Sequence, residues 1–147
     1  MLRFKYRRIE RPKPLGPETM PVIPIKLIGK NGEQVETNAL IDSGADYSVI
    51  FQEHAEILGI DIAKLEETTV QGVGGSSKAH LTKIRVQLKG PGEHRVFSFE
   101  LPFMILPKHG ENHPILLGRS VFFGQFEITF NELEKSVTLK PLAKNDW

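Results

Sequence analysis

The stretch A-L-I-D-S-G-A-D-Y-S-V-I, residues 39–50, places a carboxylate in a run that is otherwise mostly apolar. Three apolar residues precede Asp42, and apolar residues return at Val49 and Ile50. Asp-Ser-Gly is a common turn composition, so these three letters alone favour a turn. An acid between two apolar runs is nevertheless costly to bury unless it has a partner. We therefore take Asp42 as the first candidate for chemistry and ask where its partner lies.

Alternating apolar residues around this stretch predict short strands. Ile23, Ile25 and Leu27 alternate with other residues, and Asn31-Gly32 then predicts a two-residue hairpin turn. The returning strand delivers Asp42. Similar patterns recur at residues 84–88, 96–99, 103–106, 115–117, 126–130 and 137–139.

Helices are expected to be short and few. Residues 51–58 have apolar side chains at helical spacing and precede Gly59, which predicts a capped helix. A helical turn is expected over residues 119–123. Because the chain shows no internal repeat and no alternation of strands with long helices, it is predicted to be all-β.

Length and composition are those of an ordinary water-soluble domain. The chain has 147 residues and a formal net charge of +1, so no overall attraction to nucleic acid or membranes is expected. It has no cysteine, which excludes disulfides, a thiol nucleophile and thiolate metal sites. No apolar run approaches the length of a transmembrane helix, and we expect a cytoplasmic protein.

The chain divides by composition into three parts. Residues 1–20 are basic and contain Pro12, Pro14 and Pro17, so they are expected to form an arm without regular structure. Residues 21–141 are expected to form the domain, and residues 142–147 a tail. The arm could be a solvated segment, a nucleic-acid contact or a piece that the protein trims itself.

Two further motifs follow the aspartate in order. V-Q-G-V-G-G lies at residues 70–75 and I-L-L-G-R at residues 115–119, both after A-L-I-D-S-G-A-D at residues 39–46. Together the three motifs resemble the retropepsin-like, single-lobed aspartic proteases, over about residues 21–140. The resemblance implies a closed β-barrel lobe with a flap hairpin, and peptide hydrolysis without a cofactor or a metal.

The mechanism of that family requires two carboxylates. One activates a water molecule while the other, protonated, polarises the scissile carbonyl, and the pair shares one proton. Asp-Ser-Gly occurs once here, and Asp46, Asp61 and Asp146 lie in other contexts. The expected partner is therefore Asp42 of a second copy, across a two-fold axis. Cleavage should be favoured at mildly acidic pH, because one proton must be retained.

The resemblance also implies roles for individual positions. Ser43 would brace the two active-site loops across the dimer, and Gly44 would let the substrate backbone approach Asp42. Asp46 would contact the substrate backbone and pair with Arg119, the alternative being a purely structural ion pair between these two residues. The implied substrate-binding positions are Ala45, Asp46, Gly72, Val73, Gly74, Pro114 and Leu116, and the supporting positions are Gly118 and Arg119.

Other interpretations of these motifs remain open. Residues 70–80 could be an ordinary flexible hairpin. A glycine-rich loop can also bind phosphate, but this one lacks the Gly-Lys-Ser/Thr ending of a phosphate-binding loop, so we exclude that function. His109 and His113, with Glu111 between them, could approach a metal, although Gly110 and Pro114 favour a loop and no third ligand is evident. The alternative to an enzyme is a non-catalytic module that uses the same fold to bind peptides or to dimerise.

Overall fold

The computed structural model describes residues 1–11, 13–72, 75–107 and 113–142. Within these ranges the chain is built mainly of short strands. In chain order they are β1 (Leu2–Lys5), β2 (Arg7–Ile9), β3 (Glu18–Met20), β4 (Val22–Ile28), β5 (Gln34–Ile41), β6 (Ser48–Phe51), β7 (Glu66–Gly72), β8 (Gly75–Leu88), β9 (Phe97–Leu106), β10 (Ile115–Leu117), β11 (Phe126–Asn131) and β12 (Ser136–Pro141). The helices are α1 (Gln52–Ile57), α2 (Phe122–Gln125) and a 3₁₀ turn, Ile62–Lys64.

The main sheet closes into a barrel. Its strand order is β4-β5-β10-β6-β9-β8-β7, and an additional pairing of β4 with β8 joins the two sides. Inward-facing residues alternate along β9 and along the second half of β8, so aliphatic and phenylalanine side chains fill the interior. The predicted all-β class, with short helices, is confirmed.

The hairpin of β4 and β5 forms as predicted, but with a wider turn. The strands pair from Val22↔Leu40 to Ile28↔Gln34, so residues 29–33 form the connection. The Gly29 N–H donates to the Glu33 carbonyl at 2.7 Å, and Gly32 adopts φ +90°. Gly32 therefore supplies the positive φ that an Asn-Gly turn requires, inside a longer loop than the two-residue prediction.

The prediction that residues 1–20 lack regular structure is wrong. Strand β1 pairs with β12, which lies between β1 and β11 in a three-stranded sheet, and β2 pairs with β3. Leu2, Phe4 and Tyr6 are buried and belong to the same core cluster as the barrel. Burial of these alternating side chains stabilises the first strand against the last one.

Tyr6 also ties the N-terminal segment to the turn between β11 and β12. Its hydroxyl donates to the Glu132 carboxylate at 2.8 Å. Burial, and then this bond to a carboxylate, raises the pKa of Tyr6 to about 12. The same hydrogen bond lowers the pKa of Glu132, because it favours the charged carboxylate.

Of the two helices, α1 lies as predicted and α2 begins later than expected. Helix α1 ends at Ile57 with Leu58 as its C-cap, and Gly59 after it adopts φ +72°. The expected helical turn over residues 119–123 is instead α2, which starts at Phe122. Val121 before it has φ +67°, which is incompatible with a helix, so the chain turns sharply there before the helix starts. In the described ranges, no helix has the length and apolar character needed to cross a membrane.

A histidine caps the first turn of α1, and this makes stability dependent on pH. The Phe51 N–H donates to Nδ1 of His54 at 3.1 Å, an acceptor that exists only when this nitrogen carries no proton. Burial lowers the pKa of His54 below its usual 6.5. As pH falls, the unfolded chain is therefore protonated at this histidine before the folded chain is. The stability that neutral His54 contributes is present above pH 6.5 and is lost as pH falls from 6.5 through the folded-state pKa.

We expect His54→Gln to reduce the loss of melting temperature between pH 7.5 and pH 5.0. Glutamine offers an uncharged acceptor at the same third helical position, so it preserves the cap without titrating. Thermal melts of both proteins at the two pH values measure the difference. His94→Gln, at an exposed position outside this cap, should keep the wild-type dependence on pH. An unchanged dependence in His54→Gln would show that His54 is not its source.

Candidate active site

Asp42 lies at the end of β5, where strand β10 runs beside it. Strand β10 pairs in parallel with β5, with Leu117 opposite Ile41, and the Asp42 N–H donates to the Leu117 carbonyl at 3.0 Å. On its other side β10 pairs with β6 through Leu116↔Val49. The two apolar motifs that are far apart in sequence are therefore adjacent in the barrel, and their pairing fixes the backbone of Asp42.

The carboxylate of Asp42 is oriented by the glycine that follows Ser43. The Gly44 N–H donates to Oδ1 of Asp42 at 2.9 Å, and the Ala45 N–H donates to the Asp42 carbonyl at 3.3 Å. A Cβ at Gly44 would lie 3.3 Å from the same Oδ1. Gly44 thus serves close approach to the carboxylate rather than a positive φ. Asp42 is half-buried, and its loop opens to solvent at Ser43 and Gly44.

Ser43 is exposed beside this carboxylate. Among the described residues, no hydrogen bond of its hydroxyl is found within the protomer. An exposed hydroxyl next to a half-buried acid is accessible to a group outside this chain.

The loop after Gly44 is joined to the Gly-Arg motif through the backbone. The Arg119 N–H donates to the Ala45 carbonyl at 2.8 Å, and the Ser120 N–H donates to the Asp46 carbonyl at 2.7 Å. Gly118 is buried between them, and a Cβ there would overlap the Tyr47 carbonyl. The Gly-Arg motif thus contacts the loop at residues 45–47 through backbone atoms.

The ion pair expected between Asp46 and Arg119 does not form within the part of the chain that the structure describes. Both residues are exposed, and neither side chain takes part in a salt bridge with another described residue. Exposure explains this result, because a solvated ion pair gains little over two hydrated charges.

Ser48 is a site residue that the motifs did not identify. It is fully buried, and its Oγ accepts a hydrogen bond from the Gly118 N–H at 3.1 Å. This bond links the start of β6 to the Gly-Arg motif behind Asp42. A single serine before the apolar run V-I-F is the only sequence signal for it.

The remaining predicted positions lie on β10 and on the β7–β8 hairpin. Leu116 is half-buried in β10, and Pro114 precedes that strand and lines a cleft of about 520 Å³ with Asn38 and Arg8. Gly72 ends β7 and pairs with Gly75. Val73 and Gly74, at the expected flap tip, lie outside the described residues, as do His109 and Glu111 of the alternative metal site.

Similarity to one solved structure agrees with this architecture. A retropepsin-like aspartic protease from Rickettsia conorii is 20% identical, with a TM-score of 0.54, over 91% of this chain and 98% of that chain. The EIAV protease complexed with the inhibitor HBY-793 is 24% identical, with a TM-score of 0.49, over 69% and 84% of the respective chains. No curated protein matches the sequence.

The fold is therefore a retropepsin-like all-β lobe, as the three sequence motifs predicted. A family model described as aspartyl protease matches residues 23–121, which is more than half of the chain and includes Asp42, the β7–β8 hairpin and the Gly-Arg motif. This chain belongs to the aspartyl protease family.

Proposed function

We propose that the protein is a homodimeric aspartic endopeptidase in which Asp42 of each protomer supplies one carboxylate of the catalytic pair. The observation that supports this most strongly is the position of Asp42. Its carboxylate is oriented by the Gly44 N–H, stands half-buried at the end of a barrel strand, and opens to solvent beside Ser43. One protomer offers one such acid, so a second copy completes the site.

The two carboxylates would act with one shared proton. The ionised carboxylate accepts a proton from water as the water oxygen attacks the scissile carbonyl carbon, and the protonated carboxyl donates its proton to the carbonyl oxygen. Collapse of the tetrahedral species breaks the C–N bond, and the leaving nitrogen takes a proton from the pair. Ser43 would hydrogen-bond across the two-fold axis and hold the two loops together.

The substrate would lie along the exposed side of the Asp42 loop. The Gly44 carbonyl would accept a substrate N–H, and Asp46 would contact the peptide backbone. The unpaired state of Asp46 in the protomer favours this role over a structural ion pair with Arg119. Ala45, Pro114 and Leu116 would line side-chain pockets, and the β7–β8 hairpin, with Gly72, Val73 and Gly74 at its tip, would cover the peptide.

Mixing of active and inactive subunits tests the shared site. When wild-type and Asp42→Asn chains are unfolded, combined in equal amounts and refolded together, random pairing leaves about a quarter of the dimers with two aspartates. The rate of cleavage of a peptide library at pH 5, divided by the number of wild-type chains, should then fall to about half of the value for the wild-type protein alone. Refolding with Asp61→Asn, a change at an exposed residue that keeps both aspartates of the site, should leave the activity per total chain at the wild-type level, whereas the Asp42→Asn mixture should retain about a quarter of it.

Activity per wild-type chain that is unaffected by the inactive partner would show that one protomer cleaves alone. If sedimentation shows dimers and no peptide in the library is cleaved, the peptide-binding or dimerisation module becomes the better description of the protein.

A further inference from the structure

The β7–β8 hairpin projects from the barrel and is attached to it by two different segments, which we call its roots. Along β8, residues from His80 onward pair with β9, so this root belongs to the barrel sheet. Residues 75–79 pair only with β7 among the described strands. The other root is the segment 58–65, which runs from the end of α1 through the 3₁₀ turn into β7.

The second root is only partly packed against the barrel. A cleft of about 240 Å³ separates the segment 58–65 from the turn at residues 29–33 and from β8 at residues 82–84. Ile60, Ile62 and Leu65 are half-buried against the core. The position of this root therefore depends both on these apolar contacts and on contacts that bridge the cleft.

Glu33 makes such a contact. Its Oε1 accepts the Asn31 N–H at 3.0 Å, which fixes the side chain over its own turn. A Cβ at Gly29 would lie 2.5 Å from Oε1 of Glu33, and one at Gly59 would overlap Oε2. The carboxylate thus fits between two glycines, one in the barrel turn and one at the start of the hairpin root.

The backbones also approach closely at this junction. A Cβ at Gly29 would lie 2.6 Å from the Leu58 carbonyl oxygen, so the barrel turn and the end of α1 are in contact through a residue without a side chain. The two glycines leave the space that Glu33 occupies, and this arrangement joins the root to the barrel turn at residues 29–33, which lies outside the hairpin.

We propose that Glu33 is a positioning residue for the β7–β8 hairpin, which it holds in place by locking the segment 58–65 to the barrel. The consequence for substrate affinity rests on the function proposed above. Strand β5 lies between Glu33 and Asp42, so Glu33 would act through the hairpin and would contact neither the substrate nor the reacting atoms.

Hydrogen exchange of the free protein tests the structural half of the proposal. Glu33→Ala should accelerate amide exchange in Glu66–Gly72 and at residues 75–79 by about fivefold or more, with little change in β9. Glu33→Gln keeps the length and the Oε1 acceptor and should retain slow exchange. Glu36→Ala removes an exposed carboxylate near Lys26 and should behave as wild type.

Equal acceleration in β9 would assign Glu33 a role in general stability and would overturn the proposal, as would unchanged exchange in the hairpin. Failure of the glutamine to preserve slow exchange would contradict the packing argument. Gly29→Ala disrupts the same junction with Glu33 intact, because its Cβ meets the Leu58 carbonyl, and it should reproduce the local acceleration.

Steady-state kinetics test the functional half. A loosened hairpin binds peptide less well, so Glu33→Ala should raise KM about three- to tenfold while kcat changes by less than about twofold. A loss confined to kcat would contradict the positioning role. If the wild-type protein cleaves nothing, the proposed activity fails, whereas the exchange experiment still decides whether Glu33 holds the hairpin.

Discussion

Replacing Asp42 with Asn is expected to lower kcat/KM by about 10³-fold or more while the protein remains folded and dimeric. Asparagine has nearly the same shape, and its Oδ1 can still accept the Gly44 N–H bond that orients the side chain. It can neither take a proton from water nor donate one to the scissile carbonyl at this site. The change therefore removes proton transfer and leaves the loop geometry in place.

The measurement is cleavage of a peptide library at pH 5, with circular dichroism and sedimentation of the same samples. Asp61→Asn is the matched control, because Asp61 is an exposed aspartate outside the candidate site. Its Oδ2 lies 3.8 Å from Nζ of Lys64. It should retain wild-type activity. Full activity in Asp42→Asn would exclude Asp42 from catalysis, and loss of folding would assign it a structural role instead.

The strands of the barrel were predictable because the sequence of each has a recognisable pattern of apolar residues. The run that ends at Ile41 and the run Ile115–Leu117 are both continuously apolar, which is typical of strands buried on both faces. They prove to be neighbours in the sheet. Periodicity alone could not supply this pairing, and the order of the three motifs indicated the fold family rather than any particular strand pair.

The N-terminal strand was missed although its pattern is visible. Leu2, Phe4 and Tyr6 alternate with basic residues, as in a strand with one buried face. The prolines at residues 12–17 and the concentration of positive charge favoured an irregular arm. Strand β1 ends before those prolines, and its charged side chains occupy the solvent face, so the two signals do not conflict.

The sequence indicated which residues form the candidate site, but not the contacts that connect them in the fold. Sequence places Asp46 and Arg119 at positions where an ion pair is expected, yet the structure connects those segments through the Ala45 and Asp46 carbonyls. Main-chain bonds of this kind do not depend on side-chain identity, so no residue pattern reports them. The buried Ser48 Oγ is a related case, since a lone serine is consistent with many environments.

Gly118→Ala is expected to lower the free energy of unfolding by about 3 kcal/mol and to abolish most of the cleavage. A Cβ at this buried position would overlap the Tyr47 carbonyl and lie 2.9 Å from the Ala45 carbonyl oxygen. Both obstacles are backbone atoms, so no side-chain rotation relieves the overlap. The loop at residues 45–47 must shift, and it carries Asp42 and Gly44 with it.

Denaturant unfolding measures the stability of this variant, and peptide cleavage under conditions where it is folded measures the displacement of the catalytic loop. Gly124→Ala is the matched control, because a Cβ at that position in α2 meets no atom within 4 Å. It should be neutral or slightly stabilising, since alanine restricts the unfolded chain. If Gly118→Ala instead unfolds and cleaves as the wild type does, the Gly-Arg motif does not hold the Asp42 loop through close backbone contact.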